Sequence, residues 1–399
     1  MTDLDIDAQS ATNEPLFEEV DGQAEGIEDA DVDQEKFNST TIIQTDWTVS
    51  TIIDQVRRGI IDVNPDFQRR DAWDRNRKTN YIESLILGIP VPPIVLAELP
   101  GKKGRFVVID GKQRLLSMMQ FFATKNDPSG FKPFKLREPP IIKSIKGMGC
   151  DALAATPYLV ALENQSVRTN VIRGVRDEDV LYQIFLRLNT GSVKLAAQEL
   201  RQALHPGEFL KYVDNYCANS AGLSYIFSGR VPDFRMRDAE LLLRYLSFRT
   251  RLGAYGGNLK QFLDDTVEHW TARWDDGGQA MIAAEAERFE LAVEATRTIF
   301  SDRGAFRFWL GTEYETRFNR AIFDVMLFYF SDPSTRDRAL AHAAGVEAKF
   351  RELCDNDNLF GEHVRLTTKS PEATKYRMET WRRALLEVIG GDTVALPLK

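Results

Sequence analysis

The chain has 399 residues, of which 43% are hydrophobic and 28% charged, with a formal net charge of −8. That length is enough for two domains and a sizeable core, and the balance is ordinary for a soluble protein. No apolar run approaches the roughly 18 residues of a membrane span, and the acidic start MTDLDIDAQS lacks a signal-peptide pattern. Three distant cysteines, Cys150, Cys217 and Cys354, give no disulfide framework or metal spacing, so a reducing cytoplasm is the expected setting.

The charge is unevenly spread. Residues 1–36 hold thirteen acids and one lysine, which leaves the remainder at +4. Residues 1–38 therefore read as a disordered acidic tail on a mildly basic body. A tail that competes with nucleic acid for a basic face is the functional reading. Structure is expected to begin with a β-like run at Thr40–Ile43. A short helix follows, capped by Ser50, with Ile52, Ile53, Val56 and Ile60 on one face.

Pro65 keeps the next stretch out of regular helix. There Gln68, Arg69 and Arg70 lie beside Phe67 and Trp73. They read either as a basic clamp for phosphate or as a surface pair with Trp73 as a buried anchor. Asp74 caps a helix through Ile86, and Gly88-Ile89-Pro90 ends it. Val91–Glu98 reads as a strand, residues 100–104 as a turn, and Phe106–Ile109 as a second strand, a candidate hairpin.

Asp110-Gly111 stops that strand, and Leu115, Leu116, Met118, Met119 and Phe122 then recur at helical spacing. The turn thus carries Asp110, Gly111, Lys112, Gln113 and Arg114. A helix start leaves backbone N–H groups unpaired at a mildly positive end. Such an end suits phosphate, with Gly111 allowing close approach and Lys112 or Arg114 as a charged clamp. Asp110 would hold Mg²⁺ or position a water. The alternative is a capped helix with Asp110 as its N-cap.

Residues 123–150 look irregular and Leu162–Ile172 extended. Two helices follow, from Asp177 or Asp179 to Leu188, and from about Leu195 to Leu204. Beyond Glu208 the pattern is helical throughout, most clearly at 239–249, 258–270, 279–300, 314–329, 336–354 and 372–388. The expected fold class is α+β: a mixed domain over 39–205, then an all-helical domain over 206–399.

Three blocks carry a resemblance. They are Pro65–Trp73 with Ile82–Pro92, then Ile109–Leu115, then Ile184–Gly191 with Gln198–Arg201. In order and spacing they resemble the ParB/sulfiredoxin-like domain that forms the N-terminal part of GmrSD-type restriction enzymes. That family usually has DGQQR where this chain has DGKQR, with Lys112 at the first Gln. It often has Ser or Thr where Ala196 stands, so the capping box with Glu199 is broken.

The resemblance implies binding of a nucleoside triphosphate with Mg²⁺, and hydrolysis, at the motif containing Asp110. It also implies work in defence against foreign DNA. Asp110, Gln113 and Arg114 are the candidate catalytic residues, with Asp110 also the metal ligand. Gln68, Arg69, Arg70, Gly111, Lys112, Arg187 and Asn189 are the candidate nucleotide contacts. The four scattered histidines, His205, His269, His342 and His363, form no His-Asn-His nuclease. DNA cleavage would then fall to a separately encoded partner. The competing reading is a non-hydrolysing module that binds DNA or a partner, with Arg230, Arg235, Arg237, Arg244, Arg249 and Arg251 as a basic stripe.

Overall fold

The computed structural model describes residues 34–63, 71–128, 130–188, 196–366 and 368–397. The expected tail to residue 33 therefore lies outside the described residues, as do Gln68, Arg69, Arg70 and Asn189. The described chain begins with a single 3₁₀ turn at Gln34–Phe37, tied down where Lys36 pairs with Asp177 at 3.0 Å.

The fold is α+β, built on a five-stranded mixed sheet. Its strands are β1 (Thr41–Thr48), β2 (Ile61–Asp62), β3 (Ile94–Glu98), β4 (Phe106–Asp110) and β5 (Ser166–Arg173), in the order β1-β5-β3-β4-β2. β3 and β4 form the expected antiparallel hairpin, while β2 runs parallel to β4 and β3 parallel to β5. Alternation along β3 and β4 sends side chains to two different cores. Ile94, Leu96 and Phe106 join one, and Val95, Ala97, Val107 and Ile109 join the other.

The first face is covered by α1 (Val49–Arg57), α2 (Arg75–Ile86) and α3 (Lys112–Phe121), followed by α4 (Cys150–Leu153) and α5 (Pro157–Asn164). Thr48, not Ser50, caps α1. Its hydroxyl accepts from the Thr51 N–H at 3.2 Å, whereas the Ser50 hydroxyl donates to the Glu163 carbonyl. Asp74 caps α2 as expected, accepting from the Arg77 N–H at 2.8 Å. The irregular stretch before α4 is held by α2: buried Glu83 accepts the Ile141 and Ile142 N–H groups, and Thr79 accepts that of Arg137. The extended reading of Leu162–Ile172 needs correction. Pro157 at the first helical turn starts α5, which runs to Asn164, and only then does β5 begin.

The second face is covered by α6 (Glu178–Leu188) and α7 (Ala197–Leu204), through Leu181, Tyr182, Phe185 and Leu200. Ten helices follow: α8 (Glu208–Cys217), α9 (Ala221–Ile226), α10 (Arg237–Arg251), α11 (Leu259–Ala272), α12 (Gln279–Gly304), α13 (Arg320–Phe330), α14 (Pro333–Ala341), α15 (Ala343–Asn356), α16 (Asn358–Arg365) and α17 (Pro371–Ile389). Their core is a separate cluster running from Phe209 to Ile389. Two expected helices differ. The one placed at 314–329 starts only at Arg320, because Phe306 adopts φ 60° and the chain detours through a Trp309–Tyr314 bridge. The one placed at 336–354 is two helices that meet at His342.

Candidate functional site

The strand-turn-helix expected at Asp110–Arg114 is present, and its side chains are arranged as a closed set. Gly111 is the N-cap of α3 at φ 99°, so Asp110 is not the cap. An added Cβ at Gly111 would lie 3.1 Å from Arg114 Nη2 and 3.2 Å from Ile94 Cγ1. The glycine thus meets a left-handed backbone and a close approach of the chain's own side chains.

The Gly111 N–H donates to Asp110 Oδ1 at 2.7 Å. Arg114 Nη2 donates to Asp110 Oδ2 at 2.8 Å and to the Pro93 carbonyl at 3.0 Å. A register shift between Val95 and Leu96 pairs Asp110 with Val95. The Arg114 side chain is 13% exposed and that of Asp110 44%. The expected cradle of N–H groups from Gly111 to Gln113 is therefore reduced, because Asp110 already takes the first of them. Gln113 is half-buried, and among the described residues its Oε1 has no hydrogen-bond partner.

Lys112 turns away from that set. Its ammonium lies 2.5 Å from Glu199 Oε1 on α7, and Glu199 Oε2 accepts the Ala196 N–H at 2.9 Å. Half of the capping box therefore survives without a hydroxyl, with Glu199 serving both the helix start and the lysine. Around this pair is a small cavity of about 20 Å³, lined by Asp62, Val63, Val108, Lys112, Phe185 and Glu199. Residues of two of the three sequence blocks meet there, Lys112 of the α3 turn with Phe185 and Glu199 of the third block, beside Asp62 and Val63. Asp71, where the chain resumes, accepts from Gln120 on α3 at 3.1 Å. Arg187 is exposed in the last turn of α6.

Trp73 is an anchor: it packs edge-on to Tyr81 at 5.7 Å and against the first core. Four of the six arginines of the expected stripe are engaged within the helical region, while Arg230 is exposed. Arg237 pairs with Asp233, Arg244 is buried against Asp324, Arg249 meets Glu285, and Arg251 donates to the Asp265 carbonyl. Their charge is largely spent inside the helical region. Among the described residues no group of three or more His, Cys, Asp and Glu side chains is placed to hold a metal. Nor is any helix long and apolar enough to cross a membrane.

The residue that sequence reading undervalued is Glu199, noted only as part of a broken box. A new lysine in the motif and a missing hydroxyl at Ala196 were the two signals that pointed to it.

Residues 49–206, less than half of the chain, match the family model described as "GmrSD restriction endonuclease, N-terminal domain". No curated protein and no solved structure matches the chain.

Proposed function

From the premise that residues 49–206 are a GmrSD N-terminal-like domain, we propose that this chain is a nucleoside-triphosphate-gated component of a DNA-restriction or anti-phage system. The triphosphate binds, and is hydrolysed, at the turn from Asp110 to Arg114. DNA cleavage belongs to a separate partner.

The supporting observation is the Asp110–Arg114 pair. It is a charge pair at the carboxyl end of a sheet strand, with the acid half-exposed and the base mostly covered. A polyphosphate arriving there competes with Asp110 for the guanidinium. Arg114 then stabilises charge on the transferring group, and Gln113 positions the attacking water. Mg²⁺ is held by few carboxylates together with substrate phosphates. A single accessible Asp110 carboxylate fits that pattern, and the ion would neutralise charge between the phosphates. Gating follows from the exchange of partners, since opening the pair frees the Gly111 N–H that Asp110 now occupies.

The test is release of phosphate from ATP, GTP, CTP and UTP with Mg²⁺, comparing wild type with Asp110→Ala and Arg114→Ala. Turnover that falls at least tenfold in both variants supports the reading. Equal turnover in all three proteins removes it. A nucleotide-dependent rise in melting temperature without turnover leaves the non-hydrolysing binding module instead.

A further inference from the structure

A cleft of about 570 Å³ opens beside β2, sharing Asp62, Val63 and Ala203 with the small cavity at the Lys112–Glu199 pair. Its apolar lining includes Ile60 and Phe106, and its charged lining is Arg57, Asp62, Lys102 and Arg105. The cations come from three places in the chain: the end of α1, the β3–β4 turn, and the residue before β4. Ile61 pairs with Phe106 across the sheet. Asp110 lies four residues further along β4, roughly 13 Å at the rise of a strand. Phe106 of the cleft and Asp110 of the motif are therefore at opposite ends of β4, with Asp62 and Val63 forming a wall shared by the cleft and the Lys112–Glu199 cavity.

Two of the cations are aimed by backbone. Arg105 Nη1 donates to the Gly59 carbonyl, and Arg57 Nη2 donates to the Phe122 carbonyl at 3.0 Å. A Cβ on Gly59, at φ +65°, would lie 3.3 Å from Arg105 Nη1, so the glycine gives the guanidinium its room. A guanidinium has five donors, so Arg105 keeps capacity for an anion, and so does Arg57, whose Nη2 also lies 4.0 Å from the competing Asp127 carboxylate. Among the described residues Asp62 is the one acid of the lining. Burial pushes its carboxyl up, against the pull of Lys102 and Arg105. Asp62 and both of these cations line the same cleft. The volume is that of a small-molecule site, and an apolar lining with a few convergent polar groups is the usual make-up of one.

We propose that this cleft is a second ligand site, taking a mononucleotide-sized organic phosphate. The phosphate lies on Lys102, Arg105 and Arg57, the ring system lies against Ile60 and Phe106, and Asp62 accepts from a hydroxyl or amine of the ligand. The site does not depend on a nucleotide at the α3 turn.

The experiment is calorimetric titration of the full chain with AMP, ADP and inorganic phosphate, in an Asp110→Ala background that removes the motif's contribution. Asp110→Asn serves if the alanine variant melts early. In that background a nucleotide is expected to bind at one site, and at least tenfold more tightly than inorganic phosphate. Adding Lys102→Glu, or separately Arg105→Gln, is expected to weaken it at least tenfold. Lys102 is exposed, so its variant should keep the wild-type melting temperature. Nucleotide affinity unchanged by Lys102→Glu overturns the proposal. So does phosphate binding as tightly as nucleotide, or a single-stranded oligonucleotide that displaces nucleotide with a steep salt dependence. Loss of all binding on removing Asp110 alone also overturns it, while leaving the motif reading intact.

Discussion

The Lys112 ammonium and the Glu199 carboxylate lie 2.5 Å apart, joining the first turn of α3 to the first turn of α7 across 87 residues of sequence. Both side chains are mostly buried, 11% and 7% exposed. Removing one partner of such a pair leaves a charge without compensation. Glu199→Ala also strips the Ala196 N–H of its acceptor. We expect it to cost about 2–4 kcal/mol in chemical denaturation. Lys112→Gln keeps a donor and should cost only about 1 kcal/mol. Ala196→Ser supplies an N-cap hydroxyl, completing the capping box wherever Glu199 is present, and should return about 0.5–1 kcal/mol. A Glu199→Ala protein as stable as wild type would show that the pair contributes nothing.

Gly111 makes a sharper test of local geometry. Its φ of 99° and the 3.1 Å approach of Arg114 Nη2 both oppose a methyl group. Gly111→Ala should cost about 2 kcal/mol, combining left-handed strain with displacement of Arg114. The Asp110–Arg114 pair should loosen with it, so any nucleotide-dependent thermal shift should shrink too. A variant that melts and responds like wild type would mean the turn adjusts freely.

The helical region holds a buried imbalance of charge. Arg244 makes two hydrogen bonds to Asp324, at 2.7 and 2.6 Å, and Arg377 stands 3.6 Å from the same carboxylate. Arg377 donates to the Thr368 carbonyl at 2.6 Å, but among the described residues its Nε and Nη2 find no hydrogen-bond partner. Burial pushes its guanidinium down to about 10, against the pull of Asp324. Two buried cations thus share the Asp324 carboxylate. Asp324→Asn should destabilise by about 3–5 kcal/mol, since it leaves both arginines uncompensated. Arg377→Met should be neutral or stabilising by about 1–4 kcal/mol. Thermal and denaturant melts decide the pair of outcomes. If Arg377→Met is as damaging as Asp324→Asn, the second arginine is part of what holds the core.

The sheet and its motif were legible because they are local. A β-branched and aromatic run at Phe106–Ile109, a glycine after Asp110 and helical spacing to Phe122 are all read within eighteen residues. The long-range partners were not. Nothing near Arg244 in sequence points to Asp324, and its neighbours suggested an exposed stripe until pairing consumed them. The α5 region failed for a different reason: a short apolar run such as Leu159–Leu162 fits strand or helix, and Pro157 was the local clue. The missed detour before α13 turns on Phe306 adopting a positive φ, a choice made by packing against Phe318 and Phe323 that propensity does not encode.

His205 makes stability depend on pH near neutrality. It lies between Glu178, 3.2 Å from Nε2, and Glu268, 3.6 Å from Nδ1. Burial disfavours the charged ring, but the Glu178 hydrogen bond and the nearby Asp264 and Glu178 carboxylates outweigh burial and the opposing Arg201, so its pKa is raised. A raised folded pKa favours the protonated native state. The contribution is therefore complete below the unfolded value of about 6.5 and is lost as pH rises through the higher folded value. Both glutamates are partly exposed, at 39% and 67%, so solvent screening should keep it to about 1 kcal/mol or less. Melting wild type and His205→Gln from about pH 5.5 to about pH 8.5 isolates the effect. The wild-type advantage should be largest at the acid end and shrink with rising pH. Parallel curves would mean that the imidazole titrates alike in the folded and unfolded chains.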